Sequence, residues 1–215
     1  MTDLGKRALI FGALVAWCGM LLFVRIVRTG SLAYSFLVWN LFLAAIPAVA
    51  AVLFVRAKSA IAQICWFAVW LLFLPNAPYI VTDFMHLYPR PHAPLWFDVA
   101  LILSFAGTGL LLGYSSLADV QSVIARRFGN AAGWSVAFTA LLLSGLGIYI
   151  GRFLRWNSWD AFTNPLEMSS YIVWRAANPL SHLRPIGVTV IYGIGLVLGY
   201  LAYQLPRLRM NMQSP

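Results

Sequence analysis

Six apolar runs dominate the chain, at roughly residues 8–24, 33–55, 60–74, 95–117, 132–150 and 186–205. Five of them fall within the ~17–25 residues that carry a helix across a hydrocarbon core about 30 Å thick. Between the runs lie the polar positions: Arg25 and Arg28, Arg56 and Lys58, the 75–94 segment, Arg126 and Arg127, the 151–185 segment, then Arg207 and Arg209. This alternation predicts an all-α fold, a polytopic membrane helix bundle of about six transmembrane helices with short interfacial helices. It reads as a single integral membrane domain over 1–215, with no internal repeat or low-complexity tract.

The third run departs from the pattern. Residues 60–74 make about 22 Å of helix, too short to cross alone. The following stretch, LPNAPYIVTDFMHL (74–87), extends the run but carries Pro75 and Pro78. A proline lacks the N–H that a helix interior needs and clashes with the preceding turn. Asn76 suits a helix cap and Pro78 a first turn, so a second short helix is predicted from about Ala77 to Tyr88, stopped by Pro89. On an α-helix Tyr79, Thr82, Asp83 and His86 stand at i, i+3, i+4 and i+7 and form one polar stripe. Backbone freed by such a break is tolerated in a membrane only where it is buried in protein or lines a wet cavity, and breaks of this kind mark binding sites in transporters. The plainer alternative is a proline kink at the membrane surface whose stripe faces water.

Composition supports the membrane reading and removes others. The chain of 215 residues is 61% hydrophobic and 10% charged, against about 25% charged in soluble domains. The net charge of +9 therefore points to membrane lipids as partners and not to nucleic acid, since basic residues at helix ends orient the chain and meet anionic head groups. Cys18 and Cys65 both fall inside apolar runs, which argues against a disulfide scaffold. Lys6 and Arg7 before an apolar run resemble a signal sequence, but bulky Trp17 and the absence of a small-x-small pattern favour an uncleaved first helix. Lys and Arg divide eight against seven between the two sides of a six-span topology. Clustering of the first set at short loops favours an internal N-terminus.

Six spans place the 75–94 and 151–185 segments on one side. Asp83, Asp98, Asp160 and Glu167 fall there, as do His86, His92 and His182; only Asp3 and Asp119 fall opposite. Asp83 and His86 at i, i+3 suit an acid/base pair, a hydrogen bond or two ligands of a metal, with Asp98, Asp160, His92 or His182 available to complete a site. No HExxH or paired-cysteine spacing is present, so no metal or cofactor is assigned. In GRFLRWNSWD (151–160), Arg152 and Arg155 are expected on one helix face, where guanidinium forks suit phosphate or carboxylate; lipid phosphates or Asp160 are the plainer partners. Asn164, Pro165 and Glu167 read as a cap, a first-turn proline and a capping-box glutamate, opening a surface helix to about Ala177. The spacings Gly109/Gly113, Gly147/Gly151 and Gly195/Gly199 allow close helix contact and predict that spans four to six form a tight unit.

Five stretches carry a family resemblance: WNLFLAAIP (39–47), LFLPNAPYIVTDFMHL (72–87), LWFD (95–98), GTGLLLGYSSL (107–117) and GIYIGRFLRWNSWD (147–160). In this order they resemble the bacterial multi-pass family known as domain of unknown function 1361. The resemblance implies an integral membrane protein and brings no activity or cofactor. Its first stretch contains Asn40, which is placed to hydrogen-bond across helices, and the helix breaker Pro47.

The function expected from these residues is that of an integral membrane protein with a polar site at one membrane face. The leading substrate class is a lipid head group or lipid-linked molecule. Asp83, His86, Asp98 and Asp160 are the catalytic candidates. Tyr79, Asn76, Arg152, Arg155 and Asn157 are the substrate-binding candidates. A transporter or permease is one alternative and a non-enzymatic membrane assembly partner another. The bacterial cytoplasmic membrane is the expected location.

Overall fold

The computed structural model describes residues 3–89, 93–156, 158–167, 170 and 183–213, with side-chain placements for these except at 3, 161, 162, 183–185 and 207–213. Regular structure among them is helical. Six helical stretches are long and apolar enough to cross a membrane: Leu4–Thr29, Phe36–Arg56, Ala60–His86, Leu95–Phe128, Asn130–Phe153 and Ile186–Pro206. They match the six apolar runs one for one. The chain divides into two compact units, Met1–Ser116 and Leu117–Pro215.

The first unit opens with α1 (Asp3–Thr29), which Gly30 ends at φ 64. Helix α2 (Phe36–Arg56) is apolar around its circumference apart from Asn40 and the terminal Arg56, and continues through Pro47 without a break. Helix α3 (Ala60–Phe73) starts at Ser59, whose hydroxyl accepts the Ala62 N–H at 3.2 Å, an ordinary N-cap. The core between these helices and the first part of α5 (Leu95–Phe128) holds Cys18, Leu22, Leu37, Leu41, Ala44, Leu101, Ile102 and Phe105. Large apolar side chains such as Phe23, Trp39, Phe42, Ile61, Ile64 and Leu103 point outward. In water such an exterior is a liability; in lipid it is solvation.

The break in the third span is real, with a different local geometry from the expected one. Helix α4 covers only Asn76–Tyr79, and a 3-10 helix follows over Ile80–His86. Asn76 is the first helical residue and not the cap before it. Its side-chain N–H₂ turns back to the Phe73 carbonyl at 3.0 Å, satisfying an acceptor that α3 leaves open at its end. Ala77 is fully buried against α5 at Gly109 and Gly113. A Cβ on Gly109 would stand 2.7 Å from the Ala77 carbonyl oxygen, and one on Gly113 2.8 Å from the Ala77 Cβ.

The second unit contains the remainder of α5, then α6 (Asn130–Phe153), α7 (Asp160–Thr163) and α8 (Leu183–Gln213). Gly129 alone joins α5 to α6 at φ 93, a conformation that a side chain resists. Helices α6 and α8 meet at Gly145 and Gly193: a Cβ on Gly145 would lie 2.5 Å from the Thr189 carbonyl oxygen and 2.9 Å from the Gly193 nitrogen. Where the glycine contacts are described, they fall at other places than the spacings suggested. Gly109 and Gly113 serve the broken span of the first unit, Gly195 meets nothing within 4 Å, and Gly145 with Gly193 makes the α6–α8 contact. Asn164 closes α7, and residues 165–167 turn helical after it. The rest of the expected surface helix lies outside the described residues.

Candidate functional site

Ionisable side chains of the first unit gather where α1 ends, α2 and α5 begin, and the 3-10 segment runs out. Arg25 and Asp98 form a buried ion pair there, 2% and 1% exposed. Arg25 Nε donates to Asp98 Oδ1 at 2.7 Å and Nη2 to Oδ2 at 3.3 Å, the fork geometry that suits a carboxylate. Arg25 Nη1 donates to the Ala33 carbonyl at 3.1 Å. The guanidinium carbon sits 4.5 Å above the Tyr34 ring, within cation–π range. Buried Tyr34 holds φ 73, which is rare for a bulky residue. Its hydroxyl donates to the His86 carbonyl at 3.1 Å.

The second half of the site belongs to the 3-10 segment. Asp83 is 1% exposed, and its Oδ2 accepts from Asn40 Nδ2 of α2 at 2.8 Å. This is the cross-helix bond that Asn40 promised. Thr82, also buried, donates through its hydroxyl to the Tyr79 carbonyl at 2.6 Å. His86 is exposed, its ring edge-on to Phe36 with centroids 5.3 Å apart.

The single α-helical stripe is overturned by this geometry. A 3-10 helix turns 120° per residue, so positions three apart eclipse. Ile80, Asp83 and His86 fall in one line, while Tyr79 and Thr82 fall in another. The line runs from apolar and buried, through a buried carboxylate, to an exposed imidazole.

Of the sequence candidates, Asn76 serves the backbone of the break, and Asp98 has both carboxylate oxygens occupied by Arg25. Among the described residues no three His, Cys, Asp or Glu side chains gather as a metal group. Asn157, His92 and His182 lie outside the described residues.

In the second unit α6 stops at Phe153, and Arg155 takes φ 60. The Trp156 N–H reaches back to the Ile150 carbonyl at 3.4 Å, a left-handed helix end that glycine usually occupies. Arg152 and Arg155 thus do not share a helix face: one is the last turn of α6, the other the bend beyond it. Asp160 opens α7, where its Oδ1 accepts the Thr163 hydroxyl at 3.4 Å.

Sequence reasoning missed a second polar cluster, buried in this unit. Gln121 Oε1 accepts from the Tyr200 hydroxyl and, at 3.2 Å, from Gln204 Nε2, which also donates to the Tyr200 oxygen at 2.6 Å. Its one sequence signal is a glutamine late in α5 and a Tyr–Gln pair at i, i+4 in α8.

The pattern of a family described as "Protein of unknown function (DUF1361)" matches residues 39–199. The chain belongs to that family. No curated protein and no solved structure matches it. The DUF1361 match takes in Asn40, Asp83, His86 and Asp98 together with Arg152, Arg155 and Asp160, whereas Arg25 and Tyr34 precede it.

Proposed function

We propose that this DUF1361 protein works at the edge of a bacterial cytoplasmic membrane on a lipid head group or lipid-linked substrate. In that reading Asp83 is the proton acceptor and His86 the exposed group that exchanges protons with substrate or water. The observation that carries the reading is the placement of Asp83. It is a buried carboxylate, oriented by Asn40, on the segment that follows a helix break, and it lies one 3-10 turn inside an exposed histidine. Ionisable groups at membrane depth are costly and are kept where they do something. A carboxylate and an imidazole in line, one sheltered and one open, are suited to general acid–base work. Arg152 and Arg155 are separate candidates for contacts with phosphate in the second unit.

The reading is tested with Asp83→Asn and His86→Gln proteins that reach normal abundance and remain folded in detergent. Both changes preserve side-chain size. The expected result is an altered cellular lipid profile by mass spectrometry and loss of any turnover found with purified protein. Folded, abundant variants with an unchanged lipid profile would sink it. A permease is the second reading, favoured by the helix break itself; proton or solute flux in liposomes that disappears in Asp83→Asn would replace the first reading with it.

A further inference from the structure

A seven-residue 3-10 helix is long for its kind, because its hydrogen bonds are poorly aligned and runs beyond three or four residues are uncommon. Contacts from other elements hold the Ile80–His86 segment from outside, among them the Phe36 ring edge-on to the His86 imidazole. Asn40 holds Asp83 in its middle, and the Tyr34 hydroxyl holds the carbonyl of its last residue, His86. A carbonyl at a helix end has no partner inside the helix, and here Tyr34 supplies one from the side. Tyr34 is itself fixed. Its ring lies under the Arg25 guanidinium, the carbonyl before it accepts from Arg25 Nη1, and Arg25 is held by both oxygens of Asp98. Its backbone occupies a left-handed conformation that the surroundings must enforce.

We propose that Tyr34 is a positioning residue that keeps the Ile80–His86 segment in its 3-10 form and so sets where His86 stands relative to Asp83. The functional meaning of this placement rests on the acid–base reading above. In the 3-10 form His86 stands directly in line with Asp83, about 6 Å along the axis. Relaxation to an α-helix turns each residue by 100° instead of 120°. His86 then moves about 60° off that line and to about 4.5 Å along the axis. It also gains Thr82 and Tyr79 as companions on the stripe that the residue spacing encodes. The Tyr34 hydroxyl thus selects between two arrangements that this sequence supports.

The test is the Tyr34→Phe protein, which keeps the ring beneath Arg25 and removes only the donor. Hydrogen exchange is followed at the Leu87 amide, which bonds the Phe84 carbonyl at 3.1 Å, and at amides 101–106 of α5. The expected result is exchange roughly five- to tenfold faster at Leu87, the effect of one lost hydrogen bond, with 101–106 unchanged. A shift of the His86 imidazole resonances in ¹⁵N-histidine-labelled protein is expected alongside. Unchanged exchange at Leu87 and unmoved His86 signals overturn the proposal. Equal acceleration at 101–106 also overturns it, because Tyr34 would then only stabilise the unit as a whole. Fast local exchange with an unaltered lipid profile would leave the proposal standing and count against the acid–base reading instead.

Discussion

At the scale of single residues, the Arg25–Asp98 pair shows how much a membrane protein can invest in one buried contact. Removing one partner strands a charge, which costs about 3–5 kcal/mol, whereas replacing both with apolar residues of similar volume is often neutral. Arg25→Ala is therefore expected to lower the detergent unfolding midpoint sharply, and Arg25→Met with Asp98→Leu to recover most of the loss. A double variant no more stable than the single one would contradict this account. Asn40→Ala is expected to cost about 1–3 kcal/mol in the same measurement, because it removes a donor from a buried carboxylate. Asp83 and His86 stood out in the sequence because polar residues in an apolar run are conspicuous. Arg25 did not. It looked like an ordinary basic residue at a helix end, and a partner 73 positions away leaves no local signature.

At the scale of elements, the broken third span shows what proline spacing can reveal. Two prolines within four residues forbid a continuous helix, so the break was readable in the chain itself. The choice between α and 3-10 geometry after it was not. Positions three apart suit both forms, and the choice rests on groups contributed by Tyr34 and Asn40 from other elements. The glycines of α5 carry the same lesson. Their spacing announced a close approach without naming its partner, which is Ala77 of the broken span. Gly109→Ala is expected to destabilise the protein by about 1–3 kcal/mol, since the new methyl meets backbone that cannot easily move. Gly107, in the same helix, meets nothing within 4 Å, and Gly107→Ala is expected to be neutral or to stabilise by up to about 1 kcal/mol. Thermal unfolding of the pair in one detergent checks both signs; equal shifts would refute the close-approach argument.

At the scale of the whole molecule, the six spans were legible because crossing a bilayer imposes a length and an apolarity that few other structures share. Their sidedness is testable in the first unit. With Cys65 replaced by Ser, cysteines introduced at Ser31 and Tyr88 are expected to react with an impermeant maleimide from outside the cell. A cysteine at Lys58 is expected to react only after permeabilisation; the reverse pattern would invert the orientation. The buried ion pair has a last consequence, for biogenesis. At about 5–20 residues per second, the ribosome needs roughly 4–15 s to make the 73 residues between Arg25 and Asp98. During that interval α1 is already in the translocation machinery and its arginine has no counter-ion. It must reach for the head groups or be sheltered by an insertion factor, so assembly of the first unit is completed only when the fourth span arrives to neutralise the first.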